Sequence, residues 1–131
     1  MEKIILDTNF LMIPLQFRVD IFSELDRICI FSYKLFIFEQ TIEELRSIIE
    51  KDSAHKRAAQ FALKLIGIKN IGIMKSEKRE VDSLILENAA KGYIIATQDI
   101  NLRKELLKKG VSVIILRQKK YLEFVERNLY K

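Results

Sequence analysis

Histidine and cysteine are nearly missing from this chain, with one of each in 131 residues. One cysteine cannot build an intrachain disulfide framework or a cysteine-based zinc cluster, and one histidine excludes a histidine-rich metal site. Both facts suit a reducing compartment, and the expected location is the cytoplasm. Glycine is scarce as well. Gly67, Gly72, Gly92 and Gly110 fall in no phosphate-loop or dinucleotide pattern, so a nucleotide cofactor has no support. Long apolar runs are absent. The most apolar stretch, Ile28 to Phe38, is about 11 residues long with Lys34 inside it, whereas a membrane helix needs about 20. The opening MEKIILDTNF puts acids and Asn9 where a signal peptide would be apolar, so no targeting segment is expected.

What is present is 49% hydrophobic and 31% charged, the balance of a folded domain rather than a disordered tail. The length suits one domain over 1–131. The net charge of +5 is unevenly placed. Residues 1–99 carry 14 basic and 15 acidic side chains, while residues 100–131 carry 9 and 3, a net of +6. That imbalance is either a solvated face with a charged tail or a patch that tracks phosphates. Arg103, Lys104, Lys119 and Lys120 are the nucleic-acid contact candidates within it.

Apolar spacing predicts alternating strands and helices. Strands are expected at Lys3–Leu6, Leu35–Phe38, Ile71–Met74, Tyr93–Ala96 and Val111–Leu116. Helices are expected at Gln16–Ile28, Ile42–Lys51, Ala54–Ile66, Glu77–Lys91, Ile100–Lys109 and Tyr121–Tyr130. Thr41 with Glu44 reads as a capping box, Ser76 as a helix cap and Gly67 as a helix stop. Short apolar strands separated by helices predict an α/β fold whose mostly parallel sheet carries helices on both faces.

In such sheets ligands gather at the carboxyl ends of the strands. Asp7 directly follows the first strand and Asp99 closely follows the Tyr93–Ala96 strand. Each has a plain structural explanation, Asp7 as a turn residue and Asp99 as a helix N-cap. On a wheel of about 100° per residue with Val81 at zero, Asp82 lies near 100°, between Ala89 near 80° and Leu86 near 140°. An acid inside an apolar arc asks for a partner or a metal, unless it serves the helix N-terminus. In the Ile42–Lys51 helix, Glu44 borders the apolar stripe and Glu43 faces away from it; Glu39 ends the preceding strand and is a further candidate. If Asp7, Glu44, Asp82 and Asp99 converge, their repulsion requires a counter-charge. All-oxygen ligation suits Mg²⁺ or Mn²⁺, and such a site supports phosphodiester hydrolysis. His55 lacks an evident acid partner and Cys29 sits in an apolar run, so neither is a candidate.

The strings ILDTN at Ile5–Asn9, TIEEL at Thr41–Leu45 and VDSLILENAAKGYIIATQD at Val81–Asp99 resemble the PIN-domain family. The stretch Asn9–Leu25 is similar to the branch that holds small-subunit ribosomal RNA-processing nucleases and their archaeal relatives. The resemblance implies a three-layer α/β/α fold around a mostly parallel sheet of four to five strands. It implies a Mg²⁺- or Mn²⁺-dependent endoribonuclease that leaves 5′-phosphate and 3′-hydroxyl ends, with precursor ribosomal RNA as one possible substrate class. Residue by residue, the family's four acids fall on Asp7, Glu44, Asp82 and Asp99, and supporting polar positions fall on Thr8, Asn9 and Thr97. Asn101 stands in for a further polar position, with Ile100 intervening. Homodimerisation is common in the family, and Ala54, Ala58, Ala59 and Ala62 would allow close helix contact. Two alternatives accompany this reading: a catalytically silent RNA-binding or ribosome-assembly module, and a toxin-type PIN ribonuclease with a protein antitoxin.

Overall fold

Helical segments return the chain to the same edge of one sheet before each parallel strand, and a tight turn leads into the last, antiparallel one. The structure is a computed structural model, described here for residues 1–77, 79–89 and 91–126. Its elements run β1 (Glu2–Leu6), α1 (Thr8–Leu11), α2 (Ile13–Phe17), α3 (Ile21–Ile28), β2 (Tyr33–Phe38), α4 (Glu39–Lys51), α5 (Lys56–Ile68) and β3 (Gly72–Met74). Then come α6 (Val81–Ala89), β4 (Ile94–Ala96), α7 (Ile100–Lys108), β5 (Val113–Arg117) and β6 (Tyr121–Val125). Among the described residues the strand order is β3-β2-β1-β4-β5-β6, parallel but for β6. The sheet thus has one strand more than the four to five expected, in the expected three-layer α/β/α arrangement.

Strand periodicity divides the core into two layers. Ile4, Leu6, Ile37, Ala96 and Ile114 face α1 to α5, where Phe10, Leu25, Leu45 and Ala59 are fully buried. Ile5, Ile95, Val113 and Ile115 face the other way, onto Val81, Leu84 and Ile85 of α6 and Leu102 and Leu106 of α7. Ala58, Ala59 and Ala62 are consumed inside the chain. They are buried where α5 lies against α4 and α2, so they do not furnish a contact between copies. No helix among the described residues is long and apolar enough to cross a membrane.

The structure departs from the expected elements at several places. Gln16–Ile28 is not one helix: Arg18 is left-handed (φ 55°), and Asp20 restarts α3 by accepting from the amides of Phe22 and Ser23. The 3.6-residue pattern survived because α2 and α3 bury their apolar sides in the same layer. Helix α4 begins at Glu39 with no side-chain cap, so Thr41 lies inside it and the capping box does not form. Gly67 is within α5 rather than at its end, and Ser76 caps nothing because α6 starts at Val81.

The largest departure is Tyr121–Tyr130, read as a helix. Residues 121–125 form β6, antiparallel to β5, and 127–131 lie outside the described residues. Gln118 and Lys119 make the reversal in left-handed conformations without glycine (φ 52° and 56°), and Lys120 N donates to Arg117 O. The turn therefore lacks the usual Asn-Gly signal. An ion pair on α3 completes the outer edge of β6: Leu122 N donates to Glu24 Oε1, and Arg27 Nη2 donates to Leu122 O while pairing with Glu24. An edge strand's orphan backbone groups are satisfied this way by tertiary partners that local spacing does not reveal. Glu24→Ala should speed amide exchange at Leu122 by at least about 10-fold. Unchanged exchange there would show that β5 alone holds the edge.

Candidate functional site

The parallel register of β1 and β4 builds the site. Ile4, Ile5 and Leu6 pair with Ile94, Ile95 and Ala96, so Asp7 and Thr97 leave neighbouring strands side by side. Asp7 N donates to Ala96 O at 2.9 Å. Strand order reverses between β1 and β4, the position where open α/β sheets form their ligand crevice.

Asp7 is 3% exposed, and both carboxylate oxygens are engaged. Oδ1 accepts from Thr8 N at 2.8 Å and Oδ2 from the Thr97 hydroxyl at 2.7 Å. Thr97, itself buried, also accepts from Asp99 N at 3.0 Å, so one hydroxyl ties the first acid to the loop that carries the last. Asp99 Oδ1 caps α7 by accepting from the amides of Asn101 and Leu102. The cap explanation and the site explanation are therefore compatible, since capping uses one oxygen. Asn101 supplies that backbone amide, and its side chain is exposed. Asn9 staples the two loops: its side-chain oxygen accepts from Gln98 N and its carbonyl from Gln98 Nε2.

Glu44 enters from the second turn of α4. The Thr8 hydroxyl lies 2.5 Å from Glu44 Oε1 and 3.3 Å from Thr41 Oγ1. With one hydrogen to give, Thr8 donates to the carboxylate and accepts from Thr41. Thr41 is fully buried and belongs to the site's support; its residue type had suggested a cap instead. Gln40, one turn before Glu44, is a second support that sequence reading missed. Its Nε2 donates to Ser76 O and Glu77 O, tying α4 to the segment that leads into α6. No local pattern marks either residue, because both act across the fold.

Asp82, expected inside an apolar arc, is exposed. The buried side of α6 centres on Val81, Leu84 and Ile85, which leaves Asp82 at its margin in the first turn. It still belongs with the other acids. The pKa of Asp7 is raised from 3.8 to about 6, by burial above all and against the bonds from Thr97 and Thr8, with Asp82 and Glu44 adding repulsion. Partial desolvation raises Asp82, helped by Asp99 and Glu80. Asp7, Glu44, Asp82 and Asp99 thus share one electrostatic neighbourhood, whereas Glu39 and Glu43 do not act on Asp7. Glu43 is exposed beside Glu44 along a groove of about 400 Å³. His55 does have an acid partner, Asp52 at 2.7 Å, on the exposed turn between α4 and α5. Lys104, Lys119 and Lys120 are exposed, and Lys119 Nζ lies over the Phe17 ring.

Among the described residues, no three His, Cys, Asp or Glu side chains close on one point tightly enough to encage an ion. The acids act on one another through space instead, Asp82 and Glu44 on Asp7 and Asp99 on Asp82. That arrangement fits Mg²⁺, or Mn²⁺ with its similar preference for oxygen, because Mg²⁺ keeps several waters and takes one or two carboxylates directly. The donor set is all oxygen, and a divalent ion would offset both the burial cost and the added repulsion that raise Asp7.

A doubly wound α/β domain with acids following the carboxyl ends of its strands is the class defined here. The chain belongs to the PIN-like domain family, whose profile matches residues 4–119. It is 30% identical over 126 residues to Ribonuclease VapC4 of Methanocaldococcus jannaschii, covering 94% of this chain and 96% of that protein. The PIN domain endonuclease Utp24 superposes with a TM-score of 0.78 at 20% identity, over 97% of this chain and 95% of that one. A domain of a functionally unknown protein from M. jannaschii follows at 0.63 and 16%, over 89% and 92%. These two structural likenesses concern the fold.

The rise of Asp7 from 3.8 to about 6 corresponds to roughly 3 kcal/mol against its ionised form. A buried acid with a raised pKa leaves stability intact below pH 3.8 and erodes it as pH climbs through about 6. Metal-free Asp7→Asn should therefore melt above the parent protein at pH 7 to 8, with the gain vanishing toward pH 4. Melting curves across pH check this; a variant less stable at pH 8 would mean that the carboxylate is structural.

Proposed function

We propose that the chain, read as one PIN-like domain over 1–131, is a Mg²⁺- or Mn²⁺-dependent endoribonuclease. One observation supports this reading: Asp7, buried at the switch point, has its pKa raised to about 6 by desolvation with Asp82 and Glu44 adding repulsion, a cost that neutralising its charge recovers. The similarity to Ribonuclease VapC4 over nearly the full length supports RNA as the substrate.

Asp7, Asp82 and Asp99 would hold the ion, with Glu44 completing the site or helping a second ion. When bound, the ion supplies positive charge at the scissile phosphate and lowers the pKa of water. The protein's own side chains supply orientation. Thr97 fixes Asp7 against the Asp99 loop, Thr8 fixes Glu44, and Asn9 with Gln98 holds the loops together. Precursor ribosomal RNA is the substrate we favour, on the resemblance of Asn9–Leu25, and the cytoplasm is the location we favour.

A silent RNA-binding module would gain nothing from the cost built into Asp7. The toxin-type reading shares the chemistry and differs in having a protein antitoxin, so co-purification of a stoichiometric inhibitor from the source cell distinguishes it. Incubation of RNA with Mn²⁺ tests the main reading. Asp7→Asn and Asp82→Asn should each lower cleavage more than about 100-fold, the loss of several kcal/mol of charge stabilisation. Equal cleavage by parent and variants would mark a contaminant or a non-catalytic module. Millimolar Mg²⁺ or Mn²⁺ should raise the melting temperature of the parent and not of Asp7→Asn; no shift in the parent contradicts the metal site.

A further inference from the structure

Next to the acids lies a second concavity that the proposed chemistry does not use. It is a groove of about 270 Å³ between the β4–α7 turn and the end of β5, lined among others by Thr97, Gln98, Ile100, Arg103, Leu116 and Arg117. We propose that it is the subsite for the nucleotide flanking the scissile phosphate on a single RNA strand. The phosphate would sit between Arg103 and Arg117, and the base against Ile100. The proposal rests on the endoribonuclease reading and adds where the strand runs.

Continuity with the cleft is the first argument. Thr97 lines the groove while its hydroxyl holds Asp7, and Gln98 lines it while bonded to Asn9. Arg103 is one helical turn after Asp99, on the same side of α7, and its amide donates to Asp99 O. A phosphate beside Arg103 is therefore the neighbour of whatever the acids hold.

Charge is the second. An acid cluster repels a polyanion, so a bound strand needs cations beside it. Among the described residues Arg103 makes no ion pair, and Arg117 is engaged only at Nε, 2.6 Å from Glu123 Oε1. A guanidinium carries five N–H donors, so most of those on Arg117 stay available to phosphate oxygens.

Shape and polarity are the third. Ile100, the first residue of α7, is 57% exposed although apolar; Leu116, half-buried, reaches the groove from the strand end while packing in the α1–α5 layer. An exposed apolar side chain between two arginines suits the flat face of a base, with its phosphate at the rim. At about 270 Å³ the groove is smaller than the ~300–1,000 Å³ of drug-sized sites, room for a single base.

The test is binding of fluorescent single-stranded RNA in EDTA, where nothing is cleaved, followed by Mn²⁺-dependent kinetics. Arg103→Ala and Arg117→Ala should each weaken binding by about 10-fold at low salt, the size of one charge-assisted contact. Each should flatten the salt dependence by about 0.7 in log–log slope. Ile100→Ala should weaken binding of RNA, with no effect on an oligomer made abasic at the flanking position. Arg103→Lys should restore the slope, and Lys64→Ala, on the exposed side of α5, should change nothing. In cleavage, KM should rise about as much as binding weakens, with kcat held within about twofold. Unchanged affinity and slope in both arginine variants, or an equal loss in Lys64→Ala, overturns the groove. An equal loss for a polyglutamate peptide and for RNA also overturns it, as a general anion patch. The two readings separate cleanly. If the parent protein never cuts RNA yet the arginine variants lose binding, the endoribonuclease fails and the groove stands. If it cuts RNA and the variants bind like the parent, the groove alone fails.

Discussion

The pairing of Leu6 with Ala96 sets everything else in place. Because β1 and β4 run parallel and in this register, the residues after them emerge together, and the Thr97 hydroxyl meets the Asp7 carboxylate at 2.7 Å. A slip of one residue would turn Asp7 toward the opposite layer and bury it without partners. Ile4, Leu6, Ala96 and Ile114 on one face and Ile5, Ile95 and Val113 on the other are fully or almost fully buried, so both faces resist that slip. The site's precision thus derives from the packing of the sheet, and the loops that carry the acids inherit it.

Around Asp7 the fold assembles a set of charges that oppose folding and are kept nonetheless. Two bonds favour ionisation of Asp7, while burial and two neighbouring acids act against it and prevail. The Thr97 hydroxyl holds the Asp7 carboxylate and the Thr8 hydroxyl, backed by Thr41, holds that of Glu44, while the burial of Asp7 leaves the metal-free protein less stable than its core permits. In the proposed site, binding of a cation would convert that cost into affinity, since an ion gains most where the unliganded charges are most strained.

Much of this was legible in the chain. The alternation of short apolar strands with helices gave the layers, and the order Asp7, Glu44, Asp82, Asp99 placed one acid on each of four elements that the sheet gathers at one edge. What could not be read was tertiary in origin. Residues 121–125 are a strand because β5 and the Glu24–Arg27 pair satisfy their backbone, 98 and 95 residues away along the chain from Leu122. Thr41 looks like a cap because its residue type caps helices, yet α4 starts two residues earlier and turns it inward to Thr8. The wheel put Asp82 among apolar neighbours, but a first-turn residue has no preceding turn to cover it. The arginine that completes the proposed flanking groove, Arg117, sits at the end of β5 and gains meaning only from the β4–β5 pairing.

The account stands on an ion seated among acids that meet from distant parts of the chain. Crystals of the parent protein grown with saturating Mn²⁺ and measured at a wavelength where manganese scatters anomalously test this most directly. We predict an anomalous peak in contact with the Asp7 carboxylate, on the side facing Asp82 and Asp99, that disappears in Asp7→Asn. Peaks confined to the protein surface, or no peak in the cleft of well-ordered crystals, would contradict it.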